Sequence, residues 1–321
     1  MYPRAVAGSE EVRFQAGEAN LAGTLQLPDG SGRHPSVLLL PSYLARDRDG
    51  SWDRVGHPAW FAPPGHPGLL ARLAVALAQR GVASLRYDKR GCGRSEGSWE
   101  QADLFTVIDD ARDALGWLRG RRDLDLRRTG LIGHGEGAAV AISVAIGDPV
   151  IGALTLLAGA ARSWRDVLRR GVAERTRTGT DRHHALVAAI DRAAEELIEA
   201  ADRRERSRVL HVADGETVEL NLAAWEQAIH TPPLALASML HRSVTLVHGD
   251  ADAWVDADEA RLLQATLRAG GERPELRIAP GSGHEFDEAG DALIGELADE
   301  LAARLVPRDL PPVLLAIEET G

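Results

Sequence analysis

Several residue types are scarce in this 321-residue chain, and each shortage excludes something. Cysteine occurs once, at Cys92, so no intrachain disulfide can form and a reducing, cytoplasmic setting is expected. No run of ~18 apolar residues is present to span a bilayer. The opening, MYPRAVAGSEEVRF, lacks a basic and then apolar targeting segment. Lysine is scarce beside arginine. Acidic residues outnumber basic ones, 48 to 37, for a formal net charge of −11. A chain of that sign does not neutralise phosphates, which argues against nucleic acid and anionic membrane surfaces as partners. Zinc and P-loop signatures are missing. GHGEGAA imitates a dinucleotide-binding glycine pattern, but its last position is alanine and no ribose-binding acid follows at the right distance. His183 and His184 are neighbours on a predicted helix and share no face, so they do not suggest a metal site. No cofactor or metal is expected.

Apolar residues make up 44 % of the chain, enough for a large globular core. PSVLLLPSY (35–43) is a continuous apolar run, as suits a strand buried on both faces. VASLRYD, RTGLIGH, IGALTLLAG, SVTLVHGD and PELRIAP read as further strands. LLARLAVALAQRG, ADLFTVIDDARDALGWLRG, EGAAVAISVAIG, ADEARLLQATLRAG and DALIGELADELAARLV read as helices between them. Residues 11–16 and 20–27 suit a leading hairpin. Alternating strands and helices imply an α/β protein with a mostly parallel, doubly wound sheet. The rhythm breaks at 160–235, which is polar and helix-prone and reads as a helical cap inserted over the sheet. The core is then 1–159 with 236–305, and 306–321 forms a Pro-rich, apolar tail. Monomer and homodimer both remain open.

Ligands of an open parallel sheet sit beyond the carboxyl ends of its strands. Three loops at such ends carry reactive residue types. One is the turn at Gly135, another HGDAD with Asp250 and Asp252, and the third PGSGHEFD with His284. A carboxylate and an imidazole are the parts of an acid–base relay.

From about residue 11 to 305 the chain resembles the α/β-hydrolase superfamily, in a bacterial esterase-like branch. LIGHGEGAA stands against the family's Gly-His-Ser-x-Gly elbow, and YDKRGCGRSEG against its Asp-x-Arg-Gly-x-Gly-x-Ser loop. HGDAD stands against the acid loop and GSGH against the histidine loop. VLLLPSYLARDRDG keeps the end of a His-Gly-Ser-Gly-Pro-x-Asp-Arg-Asp pattern and has lost its start. The resemblance implies an α/β-hydrolase fold with Asp252 as acid and His284 as base. It implies an oxyanion hole from the backbone N–H of Glu136 and one from Ser42 or Tyr43. The nucleophile's position is Gly135, which has no side chain.

Glycine forms no acyl-enzyme, so the usual two-step mechanism is closed at that position. A base facing an oxyanion hole can instead remove an acidic C–H while N–H groups hold the enolate. The leading expectation is therefore a lyase or cyclase that eliminates an acyloxy group from an activated small molecule, as in secondary-metabolite biosynthesis. A gap of about one hydroxymethyl group is expected at Gly135 for substrate. Alternatives are ester or thioester hydrolysis by His-activated water, a hydrolase silenced by deliberate removal of its serine, and a non-catalytic ligand-binding protein. Ser42 is not expected to stand in as nucleophile, because the sequence implies no activating geometry. The Tyr43 hydroxyl is a candidate proton donor, although a wall role suits it better. Trp52, Trp60, Phe61, Trp164 and Trp225 are candidate substrate-contact residues. His134 reads as a hydrogen-bonded core histidine, and Asp88 with Arg90 as a structural salt-bridged loop.

Overall fold

A computed structural model describes residues 8–43, 45–51, 68–178, 185–212, 215, 217–228, 230–287 and 290–305. Trp52, Trp60, Phe61, the His183–His184 pair and the 306–321 tail lie outside the described residues.

Eight strands form one sheet. They are β1 (Ser9–Ala16), β2 (Ala19–Gln26), β3 (His34–Leu40), β4 (Ala83–Tyr87), β5 (Leu124–His134), β6 (Ile151–Leu157), β9 (Val244–Gly249) and β10 (Glu275–Ala279). Their spatial order is β1-β2-β4-β3-β5-β6-β9-β10. Only the β1–β2 and β2–β4 pairings are antiparallel. The apolar run of β3 has a direct cause. Leu38 and Leu40 face one core cluster while Val37 and Leu39 face the other, so neither set of alternating positions meets water. Helices α2 (Leu104–Arg119), α3 (Glu136–Ile146) and α8 (Asp258–Ala269) cover the first face. Helices α1 (Leu69–Ala78) and α9 (Gly290–Leu305) cover the second.

Between β6 and β9 the chain leaves the sheet. It forms α4 (Trp164–Thr178), α5 (Ala185–Asp202), β7 (Ser207–His211), β8 (Thr217–Asn221), α6 (Ala223–Ala228) and α7 (Pro233–Ala237). The helix-prone region also contains an antiparallel β7–β8 hairpin, which the sequence reading did not anticipate. Val218 and Leu220 point inward and Thr217 and Glu219 outward, a period-2 pattern only five residues long. So short a pattern beside a long helix leaves little periodic signal. The insertion has its own apolar cluster, which includes Leu197, Leu220 and Trp225 and takes in Tyr43 from the core.

Candidate active site

The sheet order places the site. The chain leaves β3 for β4 on one side and crosses back to β5 on the other, so a crevice opens outside the carboxyl ends of β3 and β5. The 41–43 loop follows β3, and Gly135 follows β5. They meet because Gly137 has no side chain: a Cβ there would fall 2.4 Å from the Leu40 carbonyl oxygen, so α3 can start hard against the end of β3. Gly135 itself has φ 55° and ψ −114°, a backbone state that side chains rarely adopt.

A Cβ on Gly135 would lie 2.1 Å from Ser42 Oγ and 3.1 Å from His284 Nε2. The gap expected at residue 135 is therefore not open. The hydroxymethyl group of Ser42 fills it from the neighbouring loop. The expectation that Ser42 lacks activating geometry is corrected too, since its Oγ stands 3.2 Å from His284 Nε2.

His284 Nδ1 lies 2.8 Å from Asp252 Oδ2. The other Asp252 oxygen accepts the backbone N–H groups of Trp254 at 2.8 Å and Val255 at 3.1 Å. A second histidine, His248, donates from Nε2 to the Val255 carbonyl at 2.8 Å and stands 3.3 Å from Asp252 Oδ2. Burial pushes the Asp252 carboxyl up, but the charge of His284 and the histidine hydrogen bonds outweigh it and hold the group well below the usual range. The anionic carboxylate keeps the proton on Nδ1 of His284, which leaves the Nε2 lone pair facing the Ser42 hydroxyl. Burial pulls the His284 imidazole down, and the charge and hydrogen bond of Asp252 more than reverse this, so its pKa is raised. Asp250 takes no part. It accepts the Gly281 N–H at 2.6 Å instead.

Around this relay sit further paired charges. Glu285 bonds Arg46 at 2.7 Å; burial pushes its carboxyl up, and the Arg46 charge overcomes that to bring it down to about 2. His134 is buried and donates from Nε2 to the His284 carbonyl at 2.9 Å. Its burial lowers its pKa to about 4. Donor atoms of His134, His284 and Glu285 lie within 4.8 Å of one another. They do not make a cation site, because His134 Nε2 is already spent on a carbonyl and a guanidinium neutralises Glu285.

Glu136 opens α3, and its N–H is one of the orphan donors of a helix start. Its carboxylate is buried against Lys89 Nζ at 2.6 Å. Lys89 also donates to the Ser42 carbonyl at 3.3 Å. Lys89 is the residue that sequence reasoning missed. The signal was present, since it is the only lysine in the chain. The Tyr43 hydroxyl donates to the Asn221 carbonyl at 2.6 Å, and burial raises its pKa well above the ordinary tyrosine value. That proton is engaged, so Tyr43 serves as wall. Asp88 is bidentate with Arg48, and Arg90 pairs with Asp110. Ser42, Gly135 and His284 open onto a shared cleft. Trp164 and Trp225 line it with rings 6.0 Å apart and 8° from parallel.

The architecture is that of the α/β hydrolases. Within that class the chain belongs to the X-Pro dipeptidyl-peptidase (S15) family, whose pattern matches residues 17–282. An uncharacterised protein of Mycobacterium tuberculosis is 39 % identical over 85 residues, 26 % of this chain and 29 % of that protein. Polyketide transferase claH of Penicillium crustosum is 28 % identical over 144 residues, 43 % of this chain and 40 % of that protein. Esterase EstD of Thermotoga maritima is 27 % identical over 148 residues, 46 % of this chain and 32 % of that protein. The chain thus spans less than half the length of these curated relatives. Among solved structures, the α/β hydrolase GrgF of Penicillium sp. sh18 superposes with a TM-score of 0.63 at 18 % identity, over 92 % of this chain and 99 % of that one. A hypothetical protein of Pseudomonas aeruginosa gives 0.64 at 16 %, over 95 % and 96 %. The relatives with named activities are enzymes, and no described helix is long and apolar enough to cross a membrane.

Proposed function

We propose that the protein is a serine-type acyl-transfer enzyme, an esterase or acyltransferase of small molecules, whose nucleophile has moved from position 135 to Ser42. One observation carries this reading: the Ser42 hydroxyl fills the place a side chain at 135 would take, within hydrogen-bond reach of a histidine held by an aspartate. Ser42 Oγ attacks the ester carbonyl carbon while its proton passes to His284 Nε2. The carbonyl electron pair moves to oxygen. In this reading the Glu136 N–H, an orphan donor at a helix start, and the Tyr43 N–H, next in sequence to the nucleophile, are the donors that receive that oxyanion. The C–O bond breaks, and the departing alkoxide takes the proton from His284. Water or an acceptor alcohol then attacks the acyl-Ser42 ester with His284 again as base, which releases the acyl group and restores the hydroxyl.

The elimination favoured by the bare glycine loses its motive here. A missing serine would have spared an acylated substrate from hydrolysis, but a serine hydroxyl is in place after all. Labelling with a fluorophosphonate, followed by peptide mass spectrometry, tests the proposal. The label is expected on Ser42, and Ser42→Ala is expected to lower ester turnover by about 10⁴-fold or more. Undiminished turnover in Ser42→Ala overturns it.

A further inference from the structure

We infer that the cleft takes neutral substrates carrying a planar aromatic group. For the reaction this rests on the preceding reading of Ser42; for the binding it does not.

Charge comes first. Arg46, Arg162 and Glu136 reach the cleft lining, and each already has an opposite charge within the protein. Arg46 bonds Glu285 at 2.7 Å, Glu136 bonds Lys89 at 2.6 Å, and Arg162 is tightly paired with Glu259. The Glu259 carboxylate is further committed to the backbone N–H groups of Ala161 and Arg162. Among the described lining residues a substrate carboxylate or ammonium would meet only these paired side chains or His284, and breaking one of the pairs would leave a partly buried charge without its partner. A peptide's amino terminus is such a cation. The cleft is therefore ill suited to a charged ligand, although the family is named for a peptidase activity.

Shape comes second. Next to Ser42 the lining is aromatic. Tyr43 lies 5.7 Å from Trp225 and 6.3 Å from Trp164, ring centre to ring centre, and the two indoles are nearly parallel. Trp254 stands across the site, 6.4 Å from the His284 ring. With its hydroxyl tied to Asn221, Tyr43 offers a ring rather than a donor. A flat ring entering such a wall gains contact area and ring-to-ring electrostatics together, whereas a saturated group of equal size gains area alone.

The test measures binding in the Ser42→Ala protein, where no turnover interferes. Four amides are titrated by calorimetry: 2-naphthamide, its decahydro counterpart, and naphthamides bearing a 6-carboxylate or a 6-aminomethyl group. The planar neutral amide is expected to bind about tenfold more tightly than its saturated counterpart. Both charged analogues are expected to bind at least about tenfold more weakly than the neutral one. Trp164, only partly buried, gives the variant: Trp164→Ala should lose most of the aromatic preference with little effect on the decahydro amide, and Trp164→Phe should keep it. Equal or tighter binding of the saturated amide, or of a charged one, overturns the inference. If Trp164→Ala does not fold, the four affinities decide alone. Fluorophosphonate labelling of Ser42 reports on the reaction and these affinities on selectivity, so each reading can fail without the other.

Discussion

Ser42 and Gly135 compete for one volume. A Cβ at 135 would stand 2.1 Å from Ser42 Oγ, so the two positions cannot both carry their side chains undisturbed. Gly135→Ser alone is expected to destabilise the protein by about 1–3 kcal/mol from the backbone state of that residue. It should also drive the Ser42 hydroxyl away from His284. Joining it to Ser42→Gly removes the collision, so a double-mutant cycle in urea should give strongly favourable coupling. Esterase activity should be lower in Gly135→Ser than in the pair, where the new serine has His284 to itself. The pH profile belongs to this scale as well. His284 must be neutral to accept the Ser42 proton, and its pKa is raised above 6.5. The acid limb of kcat/KM is therefore expected to bend at a pH above 6.5, and a bend below that value would contradict the assigned electrostatics. Asp252 and His284 could be picked from their loops because acid and base occupy motifs. Ser42 could not, because its activation comes from a contact between residues 242 positions apart that no local pattern encodes.

At the scale of elements, Ser42, the proposed nucleophile, sits on a loop rather than on a strand-to-helix elbow. Something must fix that loop, and three side chains do so. Lys89, two residues past β4, bonds both the Ser42 carbonyl and the first side chain of α3. Arg46 donates from Nε to the Tyr43 carbonyl at 3.0 Å, and Tyr43 is tied to the end of β8. Lys89→Met would leave the Glu136 carboxylate buried and unpaired, at a cost of about 3–5 kcal/mol. Lys89→Met with Glu136→Gln removes both charges. The pair is expected to recover most of the stability by urea unfolding, while kcat stays about 10- to 100-fold low with KM nearly unchanged. Recovery of kcat along with stability would reduce Lys89 to a purely structural role. Legibility divides along the same line. The continuous apolar run of β3 and the long amphipathic pattern of α2 announce themselves. The β7–β8 hairpin is two five-residue strands, too short to show a clear period, and the Lys89 bridge joins three elements through one residue of a type otherwise missing from the chain.

Over the whole molecule, buried charges gather at the carboxyl end of the sheet, with pairs Arg46–Glu285, Arg48–Asp88, Lys89–Glu136 and Arg162–Glu259. The fold should therefore respond to pH through its interior, and two histidines set opposite limits. The His284 pKa is raised, so its contribution is complete below pH 6.5 and is lost as pH climbs through the higher folded value. The His134 pKa is lowered to about 4, so the folded state resists protonation that the unfolded chain accepts near 6.5. Its contribution is present above pH 6.5 and drains away as pH falls from there towards about 4, amounting to about 3 kcal/mol. Of the groups facing His134, the charges of His284 and Arg46 act with burial, and burial outweighs the opposing charge of Glu285. Below about pH 4.5 the carboxylates Glu285 and Asp252, both lowered, add to the loss in the same direction. Stability is thus expected to peak near neutral pH and to fall on the acid side as His134 becomes protonated in the unfolded chain. His134→Gln keeps a donor for the His284 carbonyl and removes the titration. Urea unfolding at pH 6.5 and pH 4.5 should show the wild-type loss largely abolished in that variant, with only the carboxylate-driven decline left below pH 4.5. An equal loss in both proteins would place the acid sensitivity elsewhere than His134.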